Sequence, residues 1–330
     1  MERLFELRRR TFDTPHFRGI EFIEVEAKSI INHVPGNYLP FNWTINPYRG
    51  CSHACTYCFA RVTHTYMDMD AARDFESKIV VKVNAPELLR RELRAKRWRG
   101  EHIAMGTATD PYQRAEGKYR LMRGIVETLK EYRNPFSILT KGTLILRDLD
   151  LLVEAAGVTD VSTAFSVGTV DEEVWRRSEP GTPHPRKRLE AVARLNDAGI
   201  PCGVMIAPVL PGISDSEEQI RAVVGAALDA GATHVSPILL HLRPGVKEVY
   251  MEWLRATYPD LVPRYEATYR KAYADRPEQD SLGERVRAAV SSLGGLRRRS
   301  PRSAPKRFDE SARRARRERT KLESEQLTLL

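Results

Sequence analysis

Short apolar runs alternate with amphipathic stretches along the middle of the chain, between about residues 100 and 242. The runs are rich in Val, Ile and Phe and nearly continuous in apolar character, which is typical of strands buried on both faces of a parallel sheet. Together with one earlier run, the pattern predicts six strands, at residues 43–48, 102–108, 136–141, 161–167, 201–210 and 234–242.

The stretches between these runs have helical periodicity. Three of them end directly before a glycine (Gly157, Gly199 and Gly231), the residue that most often terminates a helix. The predicted helices comprise residues 85–98, 119–132, 144–156, 185–198 and 215–230.

Strands and helices recur at the spacing of βα units. The sequence therefore predicts an α/β fold, an incomplete (β/α)6 TIM-like barrel that is open on one side. A doubly wound open sheet is the competing topology. Residues 1–42 would form an N-terminal lead-in, residues 43–275 the core domain with its closing helices, and residues 276–330 a basic, disordered tail.

The composition of the 330 residues, 42% hydrophobic and 29% charged, is that of an ordinary globular protein. No apolar stretch approaches the roughly 18–20 residues of a membrane span, and the N-terminus is too charged for a secretory signal. We therefore expect a cytoplasmic protein with no membrane partner. Most of the net charge of +9 comes from residues 295–330, which contain twelve Lys or Arg and five Asp or Glu.

The basic tail suggests two partners. A flexible cationic segment binds phosphate backbones without sequence preference, which makes DNA a candidate. The alternative is a charged tail that only aids solubility. The end of the tail also resembles the pentapeptide through which bacterial repair proteins dock on the sliding clamp. The positions concerned are Gln326, Leu327, Leu329 and Leu330.

Three of the four cysteines, Cys51, Cys55 and Cys58, fall within eight residues and have the spacing C-x3-C-x2-C. Gly50, directly before them, permits a sharp turn. Clustered cysteines in a cytosolic enzyme indicate metal binding or redox work rather than a disulfide framework. A loop this short can wrap three thiolates around one corner of a cubane iron–sulfur cluster and leave the fourth iron open, as a catalytic metal requires.

A Cys3His zinc site, with His53 as the fourth ligand, is the alternative for this loop. His53 lies between two of the cysteines, where joint ligation is strained, and no second Cys/His pair has zinc-finger spacing. The remaining cysteine, Cys202, begins a predicted strand and is expected to be a small buried apolar residue.

The cysteine motif, with Tyr57 before its last cysteine, resembles the signature of the radical S-adenosylmethionine (SAM) superfamily. The longer string INPYRGCSHACTYCFAR, residues 45–61, is similar to the spore-photoproduct-lyase-like branch of that superfamily. The resemblance extends over about residues 20–275, and the segments that carry it are residues 74–89, 105–116, 137–152, 165–169, 179–200 and 208–215.

The resemblance implies two cofactors, a [4Fe–4S] cluster held by the three cysteines and SAM chelated at the open iron. It also implies SAM contacts at the carboxyl ends of the strands, where the βα loops of a barrel gather. The implied contacts are Thr107, Thr109, Asp110, Thr140, Lys141, Ser166, Arg188 and Pro208.

Several of these positions also have a purely structural interpretation. Asp110 precedes a proline and could form a turn or a helix cap. Ser166 could bond to backbone within its strand. Arg188 follows Arg186 and Lys187, and a run of cations most often forms a solvated helix face.

The function implied is reductive cleavage of SAM to a 5′-deoxyadenosyl radical, with electrons from a flavodoxin- or ferredoxin-type donor. DNA is a candidate substrate, for repair or modification. However, spore photoproduct lyase places a hydrogen-donating cysteine on its second strand, and the matching residues here, 106–110, contain no cysteine. No other catalytic residue is predicted. The alternatives are a radical SAM enzyme for a small metabolite and a noncatalytic iron–sulfur or zinc protein that binds DNA.

Overall fold

The computed structural model describes residues 8–36 and 39–296 of the chain. The strands in this part are β1 (Arg8–Thr11), β2 (Glu21–Val25), β3 (Ile31–His33), β4 (Trp43–Ile45), β5 (Tyr48–Arg49), β6 (Lys78–Lys82), β7 (Ile103–Met105), β8 (Phe136–Thr140), β9 (Val161–Ser166), β10 (Cys202–Val209) and β11 (Val235–Leu239).

The helices alternate with the later strands. The α-helices of the same part are α1 (Arg73–Ser77), α2 (Ala85–Arg94), α3 (Arg114–Tyr119), α4 (Leu121–Glu131), α5 (Leu149–Ala156), α6 (Glu172–Ser178), α7 (Pro185–Asp197), α8 (Glu217–Asp229), α9 (Lys247–Thr257), α10 (Val262–Thr268) and α11 (Arg276–Ser292). Short 3-10 helices lie at Pro15–Phe17, Phe59–Met67, Thr143–Asp148 and Pro259–Leu261.

Six parallel strands form the main sheet in the order β4, β7, β8, β9, β10 and β11. The spatial order follows the chain order, so the sheet has no point at which the winding reverses. A doubly wound sheet needs such a reversal, so that alternative is wrong and the incomplete (β/α)6 barrel is confirmed. β3 pairs antiparallel with β4 and forms one edge of this sheet, and β11 forms the other edge. β4 and β11 do not pair with each other, so the barrel stays open.

The strands are apolar because both of their faces are covered. All three residues of β7 are buried, and the cysteine that begins β10, Cys202, is fully buried in the main core. The interpretation of Cys202 as a buried apolar residue is thus confirmed.

The start of α8 is stabilised locally. Ser216 and Gln219 form a reciprocal capping box there, an arrangement that contributes about 1 kcal/mol.

The N-terminal segment is more regular than the expected lead-in. β2 pairs in parallel with β6, β1 pairs antiparallel with β2, and β5 pairs antiparallel with β6, which together make a second sheet of four strands. The single strand predicted at residues 43–48 is therefore two strands, because β4 joins the main sheet and β5 joins the small one.

Three predicted helices have clearly different bounds. The helix expected at residues 85–98 ends at Arg94. The helix expected at residues 119–132 is interrupted at Arg120, which has a φ of 53° and lies between α3 and α4. The helix expected at residues 144–156 begins as the 3-10 helix Thr143–Asp148. None of the described helices is both long and apolar enough to cross a membrane.

The predicted tail starts later than residue 276. Residues Arg276–Ser292 form α11, which buries Leu282, Val286 and Ala289 against the body of the protein and packs on α8 and β11. The expectation of a disordered tail from residue 276 is therefore wrong for this helix. The basic run from residue 297 onward, with Gln326, Leu327, Leu329 and Leu330, lies outside the described residues, and its proposed partners stay predictions.

Candidate functional site

The cysteine loop leaves the small sheet through a turn that requires glycine. Gly50 has a φ of 81°, and a Cβ there would meet Phe75 O, Lys78 O and the His64 ring at 2.9 Å. Cys51 N donates to Phe75 O at 2.9 Å. Any residue with a side chain at position 50 would therefore displace the start of the loop.

Two distant segments and the residue Arg61, which follows the loop directly, hold the loop in place. The buried Gln113 donates to Gly50 O at 2.9 Å and accepts from Ser52 N at 3.0 Å. Arg61 Nε donates to Cys55 O at 3.1 Å. Gly181 N donates to His53 O at 3.0 Å. These contacts fix the loop backbone before any metal is bound.

Gly181 is a close approach that sequence reasoning missed. A Cβ at this position would lie 2.2 Å from Ser52 O and 2.8 Å from His53 O. The only signal available in the sequence was its place in the segment 179–200, which carries the family resemblance. Gln113 and Arg61 were also missed. The role of Gln113 depends on contact with a segment 61 residues away, whereas Arg61 lies only six residues from its partner Cys55.

The three loop cysteines line one cavity and are withdrawn from solvent. Cys51 and Cys55 are 6% and 7% exposed, and Cys58 is half-buried. Burial raises the pKa of all three thiols, that of Cys55 to about 12, and a nearby acid, Asp110 or Glu179, adds to the effect on each. Thiolates at these positions therefore need a compensating positive charge, which iron supplies.

The donor set fits a cubane cluster. Within residues 8–36 and 39–296, no three His, Cys, Asp or Glu side chains converge on a position for a single metal ion. Ligation of a [4Fe–4S] cluster has a different requirement, because each cysteine binds a separate iron. His53, the fourth ligand of the zinc alternative, instead directs Nδ1 toward Asp110 Oδ2 at 3.4 Å.

The cavity has a volume of about 190 Å³ and lies at the carboxyl ends of β7 to β11. The structure brings six of the eight residues implied as SAM contacts to its wall, together with the cysteines. These six are Thr109, Asp110, Thr140, Lys141, Ser166 and Pro208. Thr107 and Arg188 are not among the residues that line it.

Asp110 ties the end of β7 to the end of β8. Its carboxylate accepts from the Thr140 hydroxyl at 2.6 Å, from Lys141 N at 2.6 Å and from Tyr112 N at 2.8 Å. Burial alone would raise the pKa of Asp110, but His53 and these donors lower it to about 2. The carboxylate is therefore ionised and well supplied with donors, consistent with a turn-forming role at the edge of the cavity.

Lys141 places a cation in the cavity wall. Its Nζ donates to the Ser166 hydroxyl at 2.6 Å, lies 3.8 Å from Glu179 Oε1 and stands 5.7 Å from the centre of the Tyr57 ring. The Ser166 hydroxyl in turn donates to Ala207 O at 2.6 Å. A half-buried cation held in this way is suited to an anionic ligand group.

Arg188 is placed behind the wall rather than in it. It is fully buried and donates to Glu179, to Thr182, to Pro183 O at 2.8 Å and to Ser166 O at 3.0 Å. Its burial excludes the solvated helix face, and its partners give it a structural role, while a contact with SAM stays a prediction. Its guanidinium satisfies the buried Glu179.

Glu179 also accepts a hydrogen bond from the hydroxyl of Tyr57, the residue directly before Cys58. Burial would raise the pKa of Glu179, but the Arg188 and Lys141 cations lower it to about 2. An ionised Glu179 thus connects the cysteine loop to α7. Thr109, another buried residue among the implied SAM contacts, donates to Tyr48 O at 2.9 Å.

The arrangement of cysteines and strand ends corresponds to a known family. The family model described as the radical SAM superfamily matches residues 45–224, more than half of the chain. The chain belongs to the radical SAM superfamily. Its members use a [4Fe–4S] cluster and SAM, and both cofactors are therefore cofactors of this enzyme.

Similar proteins are found in distant organisms. An uncharacterized protein of Mycobacterium tuberculosis is 47% identical over 296 residues, which cover 88% of this chain and 87% of the relative. An uncharacterized protein of Methanocaldococcus jannaschii is 32% identical over 200 residues, 60% of this chain and 71% of that protein.

Solved structures of spore photoproduct lyase share the fold. The lyase complexed with dinucleoside spore photoproduct matches with a TM-score of 0.64 at 15% identity, over 89% of this chain and 85% of that one. A lyase variant with bound AdoMet and the same dinucleoside matches with a TM-score of 0.63 at 16% identity, over 88% and 85%. At this identity the likeness concerns the fold.

Proposed function

We propose that this radical SAM enzyme holds its cluster through Cys51, Cys55 and Cys58, binds SAM along the strand ends, and abstracts hydrogen from a substrate that enters the same cavity. The observation that carries the proposal is the meeting of the three cysteines with Lys141 and Ser166 around one cavity. If the thiols and the polar strand ends lined separate cavities, the cluster and SAM could not be bound next to each other.

When bound, the cluster and SAM supply one electron and a 5′-deoxyadenosyl radical. The protein's part is ligation, positioning and the exclusion of water. Lys141 provides the cation for the SAM carboxylate, and Ser166 orients the Lys141 amine by accepting from it. Pro208 and Leu240 contribute apolar surface to the wall of the same cavity.

The proposed substrate is DNA, which the enzyme would repair or modify. The basic residues of the C-terminal segment favour a polyanionic substrate. Dimer-lyase chemistry by the lyase's own route is not proposed, because the described cavity wall contains no cysteine besides the three loop residues. A small metabolite is the second candidate, favoured by the limited cavity volume of about 190 Å³.

Three further assignments complete the proposal. The electron donor would be of the flavodoxin or ferredoxin type, as the superfamily requires an external reductant. Residues 295–330 would bind DNA, and Gln326, Leu327, Leu329 and Leu330 would dock on the sliding clamp. The protein would act in the cytoplasm.

The decisive experiment is anaerobic reconstitution with iron and sulfide, followed by incubation with SAM and dithionite. We expect 5′-deoxyadenosine and methionine from the wild type, and their loss together with the loss of bound iron in Cys55→Ala. Cys202→Ala is the matched control, because Cys202 lies in the main core and does not line the cavity. An intact cluster that yields no 5′-deoxyadenosine would contradict the proposal.

The same assay separates the alternatives. Stimulation of SAM cleavage by damaged DNA would support a DNA substrate, whereas one zinc per chain without cluster absorbance would support a noncatalytic protein.

Two further experiments test the C-terminal segment. DNA binding that is lost on deleting residues 295–330 would assign this binding to the tail. A clamp pull-down that fails for a chain ending at Glu325 would assign docking to the last five residues.

A further inference from the structure

An aromatic group extends from the cavity wall to the protein surface. Phe59 and His241 both line the cavity, with ring centres 5.7 Å apart, and His241 stacks on Tyr273 at 5.2 Å with an interplanar angle of 21°. Phe59 is 40% exposed and Tyr273 is 47% exposed. We refer to these three residues as the aromatic rim.

The aromatic rim is built by tertiary pairing. His241 and Tyr273 are partners in an isolated antiparallel bridge, and Leu242 N donates to Ala272 O at 2.7 Å. The bridge joins the segment after β11 to the segment after α10. The rim therefore has a fixed backbone, although its outer rings face solvent.

A cation contacts the outer end of the rim, and two more lie close to it in the chain. Arg243 donates to the Tyr273 hydroxyl at 2.7 Å and has its guanidinium 5.9 Å from that ring's centre. The exposed Arg270 and Lys271 shortly precede Tyr273 in the chain. In the part of the chain that the structure describes, no ion pair involves any of these three cations. They are available to an anion.

His241 contributes an aromatic face rather than a charge. Burial and the neighbouring Arg243 lower the pKa of His241 below its usual value of 6.5, so its ring is neutral at pH 7. The exposed side of the Tyr273 ring leaves apolar surface in water, which is unfavourable unless something covers it. The adjacent exposed Ile238, 40% exposed on the same cavity wall, enlarges that surface.

We propose that the aromatic rim and Arg243 bind a nucleobase with its adjoining phosphate, and so position the substrate over the cofactor cavity. This inference rests on the proposed function, because it names the substrate class of the same site. Stacking on aromatic rings tolerates any base, and a nearby guanidinium binds the phosphate. Rings without a cation would suit an apolar ligand equally well, and the Arg243 guanidinium on Tyr273 favours the ligand that carries a phosphate.

The test measures stacking directly, since the basic tail would dominate any simple DNA-binding assay. The reconstituted full-length enzyme, saturated with SAM, is titrated into a single-stranded oligonucleotide that contains 2-aminopurine, whose fluorescence is quenched on stacking. A second titration uses 2-aminopurine deoxyribonucleoside monophosphate. Quenching of the oligonucleotide alone identifies nucleic acid as the source of the base, and quenching of both identifies a nucleotide site that also accepts free nucleotides.

Variants locate the signal. We expect Tyr273→Leu to weaken the quenching titration about tenfold, within the range for loss of one stacking ring, and Tyr273→Phe to retain most of it. Arg243→Gln should weaken binding and reduce the salt slope by about one. Tyr66→Leu is the matched control, because Tyr66 is 77% exposed on the same 3-10 helix as Phe59 and does not line the cavity.

Two outcomes overturn the inference: a wild-type enzyme that quenches neither probe, or equal losses in Tyr273→Leu and Tyr66→Leu. SAM cleavage is assayed on the same wild-type preparation. Cleavage without quenching rejects the rim alone, whereas quenching without cleavage rejects the proposed function and retains the rim as a binding site.

Discussion

The Lys141 amine donates to the Ser166 hydroxyl at 2.6 Å and so joins the carboxyl ends of two neighbouring parallel strands. The two residues are 25 positions apart in the chain. Their contact exists because β8 and β9 pair in register up to Thr140 and Phe165, which brings the residues that follow to the same edge. The pair gives the cavity its one cation among the residues that line it in the described structure.

Replacement of Lys141 tests whether this cation binds SAM. Lys141→Met should raise the Kd for SAM roughly ten- to a hundredfold, because a hydrogen bond to a charged group contributes about 1.5–3 kcal/mol. Isothermal titration with reconstituted protein measures the Kd, and iron analysis shows whether the cluster is retained. Lys187→Met removes a cation that pairs with Glu190 on the surface, and it should leave the affinity unchanged. Equal affinities in both variants would remove Lys141 from the SAM site.

Replacement of Arg188 distinguishes a structural role from a SAM clamp. Arg188→Met leaves the buried Glu179 without its guanidinium partner, which we expect to lower the free energy of unfolding by about 3–5 kcal/mol. Urea unfolding monitored by circular dichroism measures the loss. Arg186→Met, two positions away on the exposed face of α7, should change stability little. A large loss of SAM affinity at unchanged stability would restore the clamp interpretation.

Substitution of Gly181 tests the contact between the 179–182 segment and the cysteine loop. Gly181→Ala places a Cβ 2.2 Å from Ser52 O, so the loop must shift, and we expect reduced iron content after reconstitution. The comparison is Gly117→Ala in α3, where the new Cβ has no neighbour closer than Leu144 Cδ1 at 3.8 Å. Full iron content in both variants would mean that the loop position is not needed for cluster assembly.

Glu179 should give the apo-protein a characteristic acid sensitivity. The pKa of Glu179 is lowered in the folded state from 4.5 to about 2, so its ion pair stabilises the fold fully above about pH 4.5. That contribution, about 3 kcal/mol for a shift of this size, is lost as the pH falls toward 2. Unfolding free energies of wild type and Glu179→Gln, measured on apo-protein between pH 5 and pH 2, should converge as the pH falls. A constant difference would contradict the assignment.

The order of the strands in the main sheet was predictable only because apolar runs and helices repeat regularly along the sequence. Apolar runs buried on both faces are recognisable one at a time, and their repetition with helices between them predicted the six-stranded parallel arrangement that the structure confirms. The pairing of β2 with β6 was not predictable in this way. Those strands are short, half-buried and separated by more than fifty residues, so no local period signals their contact.

The chain by itself determined the chemistry of the cysteine loop, because three thiols at fixed short spacing behave as one ligand group wherever the loop is placed. Only the tertiary structure decided which polar residues share the cavity. Lys141 and Arg188 are both cations of segments that carry the family resemblance, yet Lys141 lines the cavity and Arg188 pairs with the buried Glu179 behind it. Burial and partner choice depend on how distant segments pack, and a linear pattern of polar and apolar residues does not contain that information.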